Sequence, residues 1–218
     1  MSSTHDKTHV DKAGYLSRRP LASISRLIQA TKPFAEKMVC SESNSLVNIP
    51  VNEVWLIEDG LMVMYRDEGK HLFFICSAPL ILGVNGIFNI PVKGYVIGFM
   101  RSTVIHKLST EQFVTQIGQQ NLWEDLARLT GFYFANSLEN NARLVKKDNY
   151  NVIKSLILEY QYLPEFAREK TSLSSYVIQK GMISRSYVLK VLSTLNKCGY
   201  IKVNRGKLLY VDYLPAAL

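Results

Sequence analysis

The sequence predicts an α+β fold in which short β-strands are followed by a long helix and then by a winged helix-turn-helix. Three observations lead to this prediction. The hydrophobic pattern has a period of two from about residue 46 to residue 108, which indicates strands. An apolar stripe with helical spacing extends over 121–147. The chain then ends in a capped helix followed by a hairpin with a basic tip.

The N-terminal part is predicted to contain a polar tail and then a helical segment. Residues 1–15 are polar and mixed in charge, which is typical of a disordered tail. Residues 17–38 keep a helical spacing of apolar residues, with Pro33 as a break, so one helix or two are expected there. They open a domain that we assign to residues 16–120.

The rest of that domain is predicted to be a β-sandwich or barrel. Five runs are rich in β-branched and aromatic residues: VWLIEDG, LMVMYRD, HLFFICSAPLILG, YVIGFM and TVIHKLS. Turn residues such as Glu68-Gly69 separate these runs. Short strands with frequent turns are typical of a sandwich or barrel and not of a nucleotide-binding βαβ unit. A short helix follows, with Ser109 or Thr110 as its cap.

Residues 121–147 are predicted to form a dimerisation helix. Its apolar residues recur every three or four positions, close to a coiled-coil seam. Periodicity alone fits packing against the chain's own domain equally well. A helix of 27 residues would extend about 40 Å, which is longer than a small sandwich can cover, so the length favours a homodimer. The predicted seam residues are Leu122, Leu126, Leu129, Phe132, Leu138 and Val145.

Residues 148–218 are predicted to form a winged helix-turn-helix domain. A helix from Tyr150 to about Tyr162 is followed by a connection over 164–171, a short helix over 173–179 and a turn over 180–182. Ser184 is the expected N-cap of a helix that Gly199 ends, and residues 201–211 form a hairpin with Asn204-Arg205-Gly206-Lys207 at its turn. The buried stripe expected on this last helix is Val188, Val191, Leu192 and Leu195.

The distribution of charge points to a phosphate-binding surface in this last domain. The net charge is +8, and residues 140–218 contain 13 Lys and Arg against 5 Asp and Glu, whereas residues 1–139 contain 13 of each kind. An apolar stripe with basic neighbours also fits an ordinary core helix with a solvated face. An excess confined to one segment, together with the order of elements, favours double-stranded DNA as the ligand.

Cysteine usage and hydropathy exclude several other classes of protein. Cys40, Cys76 and Cys198 are far apart and form no C-x-x-C motif, so neither a disulfide framework nor a metal site is indicated. Redox activity of one of these thiols remains an alternative to a structural role. No apolar run approaches the length of a membrane span, and the N-terminus does not have the pattern of a signal peptide. We expect a cytoplasmic protein.

Lys146-Lys147-Asp148-Asn149 is predicted to be a hinge between the long helix and the last domain. The order of sandwich, long helix, hinge and winged helix-turn-helix resembles the CRP/FNR superfamily of bacterial transcription regulators. The segment SRSYVLKVLSTLNKCGYI is similar without gaps to that family's S-R-E-T-V-x-R-x-L-x-x-L-x-x-x-x-x-I pattern. The C-terminal residues, including GYIKVNRGKL, are most similar to the enterobacterial IprA/YaiV group. The resemblance implies that the N-terminal domain is a cyclic-nucleotide-binding-like β-roll, a double-stranded jelly-roll.

The resemblance also implies roles for individual residues. Arg185 matches the arginine that reads guanine, while Ser186 and Tyr187 replace the usual Glu and Thr, so a different operator sequence is expected. Lys190 replaces a second arginine and lacks its planar fork. These four are the predicted base-reading residues. The hairpin over 201–211 is the expected wing. The predicted phosphate contacts are Ser184 and, on this wing, Arg205 and Lys207.

The sensor domain departs from the cyclic-nucleotide pattern. Where the family has Gly-Glu and Arg-Ser, this chain has Gly83-Val84 and Lys93-Gly94. Val84 cannot accept a hydrogen bond from a ribose and Gly94 has no hydroxyl for a phosphate, so binding of a cyclic nucleotide is not expected. The cysteine cluster of the iron–sulfur members is missing from the sequence, and no spacing supports haem ligation. We therefore expect no cofactor.

These features predict a homodimeric, sequence-specific DNA-binding regulator of a pseudo-palindromic site. An activator would also contact RNA polymerase, although the sequence indicates no surface for that contact. The alternative is an interaction module or anti-regulator that keeps the fold without sequence specificity. An enzyme on the sandwich is disfavoured, because the strand region offers only His71 and His106 as metal-ligating histidines and they are far apart.

Overall fold

The computed structural model describes residues 18–40, 46–66, 68–144 and 148–218, without the side chains of Arg143 and Leu144. Several predictions concern residues outside these ranges: the disordered tail over 1–15, the place of Val145 in the dimer seam, the end of the long helix over 145–147 and the first half of the hinge over 146–149. Within the described ranges, the predicted α+β architecture is confirmed: a sandwich of short strands, a long helix and a winged helix-turn-helix follow one another along the chain.

The N-terminal segment contains one α-helix, and the prediction of helical structure as far as Met38 was wrong. Helix α1 covers Leu21–Thr31 and buries Ile24, Leu27 and Ile28. Pro33 lies in a short 3-10 turn, Lys32–Phe34, and so breaks the helix as predicted. The chain then enters strand β1, Glu36–Cys40. This strand pairs with residues 103–107, and the tertiary pairing overrides the apparent helical spacing.

Seven further strands complete two antiparallel sheets, and we call β1–β8 the β-roll. They are β2 Val47–Asn48, β3 Glu53–Ile57, β4 Leu61–Arg66, β5 His71–Ser77, β6 Leu80–Leu82, β7 Tyr95–Phe99 and β8 Thr103–Ser109. The sheets have the orders β1-β8-β3-β6 and β2-β7-β4-β5. The run HLFFICSAPLILG therefore gives one strand to each sheet, because Pro79 lacks the N–H that a continuous ladder would need.

Strand β3 shows why these runs read as nearly continuous hydrophobic stretches. Trp55 and Ile57 point into the core between the sheets. Val54 and Leu56 point to the opposite face, where they pack with helical residues such as Leu27. Because successive side chains of a strand point to opposite faces, a strand covered on both sides has apolar residues at every position.

Two helices follow the β-roll. Helix α2, Thr110–Gln119, begins with a capping box in which Gln112 N–H donates to Ser109 Oγ at 3.1 Å, which confirms Ser109 as the predicted cap. Helix α3 covers Trp123–Leu144, 22 residues or about 33 Å at 1.5 Å per residue. It is therefore long, although shorter in the described residues than the predicted 121–147.

Two of the predicted seam residues on α3 belong to the protomer's own core, which is a correction. Leu126 and Leu129 are 3% and 0% exposed and pack with α1 and α2, so they have no surface to offer a second chain. Leu122 packs at the edge of the same core, Phe132 is half-buried and Leu138 is 53% exposed. Periodicity could not separate these residues, because α3 has apolar side chains on two opposite faces.

The C-terminal domain comprises four helices and a hairpin. They are α4 Asn149–Gln161, α5 Glu165–Lys170, α6 Leu173–Gly181, α7 Arg185–Lys197, β9 Ile201–Asn204 and β10 Lys207–Val211. Helix α5 was not predicted, because its six residues bury only Ala167 and so show no apolar period. The predicted turn over 180–182 was also too long, since α6 continues to Gly181 and Met182 alone adopts a left-handed φ of 54°.

The C-terminal domain covers the outer face of the second sheet. Leu61, Val63 and Leu72 of the β-roll share one hydrophobic cluster with α4, α6 and α7, and α6 packs against β5. One hydrophobic cluster therefore spans the outer face of the second sheet and the domain that carries the candidate site.

Candidate DNA-binding surface

The candidate site is built on the pair of helices α6 and α7. A Cβ at Gly181 would lie 3.1 Å from the Leu156 side chain, so the glycine lets the end of α6 approach α4 closely. Met182 turns the chain, and Ile183 is buried immediately before α7. The tight turn fixes α7 across α6, which is the arrangement that presents a recognition helix.

Both predicted ends of α7 are present, although one predicted hydrogen bond is not. Ser184 is the N-cap residue, but its side chain makes no capping hydrogen bond. Its hydroxyl therefore lies beside the free N–H groups at the start of the helix, where an anion is stabilised. At the other end Gly199 has a φ of 79°, and Tyr200 N–H donates to the Leu195 carbonyl oxygen at 3.0 Å, which completes a Schellman motif.

Helix α7 has the two faces that the sequence predicts. Its buried residues are Val188, Val191, Leu192 and Leu195. The predicted base-reading residues Arg185, Ser186, Tyr187 and Lys190 are all exposed. Ser186, Lys190, Ser193 and Lys197 are spaced four, three and four residues apart, so they form the row opposite the buried stripe.

The base-reading candidates differ in how free their side chains are. Arg185 has neither a hydrogen bond nor an ion pair with the part of the chain that the structure describes. Tyr187 is 37% exposed on the flank of α7. Burial raises the pKa of Tyr150 at the start of α4, and Tyr213, Tyr200, Asp148 and Tyr187 raise it further.

Sequence reasoning missed one exposed residue of α7. Leu189 is 43% exposed and lies between Arg185 and Ser193 on the helix surface. It follows Val188 directly and falls outside the buried stripe, which is the signal that could have identified it. An exposed leucine on a recognition helix can contact the methyl group of thymine.

The wing turns at Arg205 and Gly206, which have φ angles of 46° and 79°. Arg205 is exposed and free to meet a phosphate. Lys207 is not, which corrects the sequence prediction: its ammonium donates to the carbonyl oxygens of Arg168 and Glu169 at the end of α5. A cation at a helix C-terminus satisfies carbonyls that lack an intrahelical partner, so Lys207 anchors the wing.

The surface around α7 and the wing is strongly basic. Residues 171–218 contain seven Lys and Arg and a single acidic residue, Asp212. Lys180 and Lys207 are held by the protein itself. The remaining five are exposed, and within the described ranges none of them is paired: Arg185, Lys190, Lys197, Lys202 and Arg205. Such a set of free cations favours a polyanion.

In the β-roll, the residues that replace the cyclic-nucleotide motif face different surroundings. Val84 is 6% exposed and packs in the cluster formed with α1, α2 and α3, so its side chain belongs to the core. Gly94 is exposed. The described ranges contain no group of three or more His, Cys, Asp and Glu side chains able to hold a metal ion. No helix within them is long and apolar enough to cross a membrane.

Comparison with known proteins agrees with this architecture. Residues 149–216 match a family described as winged helix-turn-helix DNA binding. The chain is 27% identical over 207 residues to the inhibitor of hydrogen peroxide resistance of Escherichia coli strain K12, covering 91% of this chain and 97% of that protein.

Two solved structures share its fold. The c-di-GMP responsive global regulator CLP of Xanthomonas campestris is 13% identical with a TM-score of 0.66, over 87% of this chain and all of that one. A CRP/FNR family regulator of Thermus thermophilus is 16% identical with a TM-score of 0.54, over 81% and 94%. The chain therefore has the fold of the CRP/FNR transcription regulators, and its residues 149–216 are similar to winged helix-turn-helix DNA-binding domains.

Proposed function

We propose that the protein is a homodimeric, sequence-specific DNA-binding transcription regulator that places α7 in the major groove and acts in the cytoplasm without a cyclic nucleotide. The observation that carries this proposal is the first half of α7, where Arg185, which has no partner among the described residues, lies beside exposed Ser186, Leu189 and Lys190. A helix start with an exposed arginine and mixed polar and apolar neighbours suits the edges of base pairs.

The exposed side chains of α7 would make different kinds of contact with DNA. Arg185 can donate two parallel hydrogen bonds to O6 and N7 of guanine, and Leu189 can contact a thymine methyl group. Ser186 can bond to more than one base, whereas Lys190 provides a point charge. Ser184 at the helix N-terminus and Arg205 on the wing would contact phosphates, which adds affinity without specificity. The free cations Lys197 and Lys202 extend that phosphate surface.

Homodimer formation is supported by the face of α3 that points away from the protomer core. Its residues are apolar and exposed, with small side chains beside two large ones: Ala127, Gly131, Phe134, Ala135, Leu138 and Ala142. Phe134 and Leu138 are 66% and 53% exposed, which is costly for a lone helix in water. A second α3 packed there would create a twofold axis, and two α7 helices that read successive major grooves would have to lie about 34 Å apart, one turn of DNA.

The β-roll would act as a scaffold that connects the dimer helix to the DNA-binding domain. Val84 occupies the position of a ribose ligand and is part of the core, which supports a function without a cyclic nucleotide. Contact with RNA polymerase, which activation would require, stays a prediction.

A binding selection would test the proposal. The full-length protein is incubated with random duplexes at two salt concentrations, and the retained DNA is sequenced. The proposal expects enrichment of a pseudo-palindrome with half-sites separated by about 10 base pairs, bound with a steep salt dependence. Retention of every sequence alike would reject sequence-specific binding and favour the alternative, an interaction module or anti-regulator. The name of the Escherichia coli relative, an inhibitor, fits both a repressor and that alternative.

A further inference from the structure

Two large aromatic side chains lie on one side of the exposed apolar face of α3. Trp123 is 44% exposed and Phe134 is 66% exposed. The two positions are 11 residues apart, which is three helical turns, so both side chains lie on the same side of Gly131 at the centre of the face. Exposed aromatic side chains of this kind anchor protein interfaces when they fill pockets on a partner.

Two open grooves lie on the other side of the same face, between α3 and the start of α1. The first groove has a volume of about 290 Å³, and its lining includes Arg18, Pro20, Arg128, Phe132, Ala135 and Glu139. The second groove has a volume of about 490 Å³, and its lining includes Pro20, Leu21, Arg26, Glu124, Asp125 and Arg128. Pro20 and Arg128 line both grooves and therefore form the ridge between them.

The grooves and the aromatic side chains are on opposite flanks of α3. Arg128 lies three residues before Gly131 and Ala135 lies four residues after it, whereas Phe134 lies three residues after it. At 3.6 residues per turn, this spacing places Arg128 and Ala135 on one flank and Phe134 on the other. Ala135 belongs both to the exposed apolar face and to the first groove, so the groove is continuous with the surface on which the proposed homodimer rests.

The chemistry of the grooves suits an uncharged side chain. The arginines that line them already have partners within the protomer: the ion pairs are Arg18–Glu139, Arg26–Asp125 and Arg128–Glu124, and Arg19 donates to the Ser77 carbonyl oxygen. Pro20 supplies apolar surface to both grooves, together with Phe132 in the first and Leu21 in the second. Apolar surface inside a rim of polar and charged groups is the usual anatomy of a protein interface.

Twofold symmetry brings the aromatic flank of one α3 against the groove flank of another. With both DNA-binding domains on one DNA, the two α3 helices run side by side in the same direction, and each flank meets the opposite flank of the second copy at the same level. Phe134 is then level with Ala135 of the first groove, and Trp123 is level with Glu124 of the second. A cavity of about 150 Å³ can hold benzene, so both grooves have room for an aromatic ring.

We infer that these grooves are docking sites for a second copy of the chain: Phe134 of one copy enters the first groove of the other, and Trp123 enters the second groove. The inference rests on the proposed function and deepens its homodimer, because the residues before α1 become part of the interface. Four aromatic side chains, two from each copy, then fix the register of the two α3 helices.

The dissociation constant of the dimer tests the inference without DNA, and sedimentation equilibrium of the full-length protein measures it. Pro20→Asp changes no residue of α3, and aspartate is a favourable N-cap for α1, so the fold should persist. Its carboxylate lies on the ridge between the grooves and would lose water when an aromatic ring docks, so the dissociation constant should rise about tenfold or more. Ser25→Asp adds the same charge at an exposed position of α1 outside the grooves and should leave the constant unchanged.

A double-mutant cycle links the groove to the ring that enters it. Phe134→Ala should also raise the dissociation constant about tenfold or more, because it removes an interface anchor. The fold change caused by Pro20→Asp should be smaller in the Phe134→Ala background, since one of the two docked rings is already missing. Thermal unfolding of each variant checks that the protomer remains folded.

The emission of Trp123 provides a second readout. The chain has two tryptophans, and Trp55 is only 9% exposed, so a change on association reports Trp123. The emission of the wild type should shift to shorter wavelength as the dimer forms, and Pro20→Asp should move this shift to higher protein concentration.

The outcomes separate the inference from the proposed function. A Pro20→Asp dimer as tight as the wild type, or effects of Pro20→Asp and Phe134→Ala that simply multiply, would overturn the inference and leave the homodimer standing. Grooves filled by another segment of the same chain would give the first of these results. A wild type that stays monomeric would reject the homodimer together with the inference. A protein that shows the expected dimer behaviour but discriminates no duplex would reject only the sequence-specific function.

Discussion

The backbone N–H of Leu173 donates to the carbonyl oxygen of Gly206 at 2.8 Å and thereby ties the first residue of α6 to the tip of the wing. The contact at this point is close, because a Cβ on Gly206 would lie 3.1 Å from Ser172 Cβ. Lys207 reinforces the connection through the carbonyl oxygens at the end of α5. The position of the wing is therefore set by the helix-turn-helix and not by the hairpin alone.

Substitution of Gly206 should disturb this tie. Gly206 and Gly199 share a φ of 79°, but nothing lies within 4 Å of a Cβ on Gly199. Both Gly206→Ala and Gly199→Ala should lose about 1 kcal/mol of folding free energy, because a left-handed conformation is unfavourable for alanine. Gly206→Ala should lose more, and it alone should weaken binding to DNA. Denaturant unfolding and duplex titrations measure both effects, and equal losses of DNA affinity would show that the Ser172 contact is unimportant.

The two basic residues of the wing should respond differently to substitution. Arg205→Ala removes an exposed cation, so affinity should fall for all duplexes alike and the slope of log K against log salt should decrease by about 1. Lys207→Ala removes hydrogen bonds to backbone carbonyls and should lower stability by about 1 kcal/mol. Fluorescence anisotropy in a salt series and thermal unfolding separate these effects. If Lys207→Ala instead reduces the salt slope and leaves stability unchanged, Lys207 contacts a DNA phosphate and does not anchor the wing.

The exposed face of α3 should control the oligomeric state. Phe134→Asp and Leu138→Lys place charges on that face and should give monomers at micromolar concentration, which analytical ultracentrifugation detects. Ser137→Lys adds a charge elsewhere on the same helix and should leave the dimer intact. Leu129→Ala should instead cost about 2 to 5 kcal/mol of stability, because Leu129 is fully buried in the protomer. A dimer that survives both charged substitutions would place the interface elsewhere.

The ion pair between α1 and α3 should make stability depend on pH. The hydrogen bonds from the Arg26 guanidinium hold the pKa of Asp125 below its ordinary value. The carboxylate therefore stabilises the fold above about pH 4, the ordinary range of an aspartate, and this contribution is lost as the pH falls through the lowered pKa. Asp125→Asn should be less stable at pH 7 and lose less stability on acidification. Glu124→Gln, an exposed neighbour, serves as the control, and an unchanged acid profile in Asp125→Asn would contradict the assignment.

The sequence predicted elements where local chemistry decides the structure. Ser109, Gly199 and the Arg205-Gly206 turn are in their predicted places because capping and positive φ angles are local requirements. It did not predict the partner of each apolar face. Leu126 and Leu138 both fit the apolar repeat of three or four residues along α3, yet Leu126 lies in the core and Leu138 is exposed.

Charged side chains were equally hard to place from the sequence. Lys207 has the sequence context of a phosphate contact, but the carbonyl oxygens of α5 hold it. The placement of Lys207 depends on tertiary contacts, which the period of a single element does not report.

Discrimination by Arg185 is the most direct measure of the central claim. Binding of the wild type, Arg185→Ala and Lys197→Ala is compared on a duplex enriched by selection and on a scrambled duplex of the same composition. Arg185→Ala should lose about 1 to 3 kcal/mol of discrimination between the two, because a bidentate contact with guanine is removed. Lys197→Ala should weaken binding to both duplexes alike. An Arg185→Ala protein that discriminates as well as the wild type would contradict the assignment of α7 as a recognition helix led by Arg185.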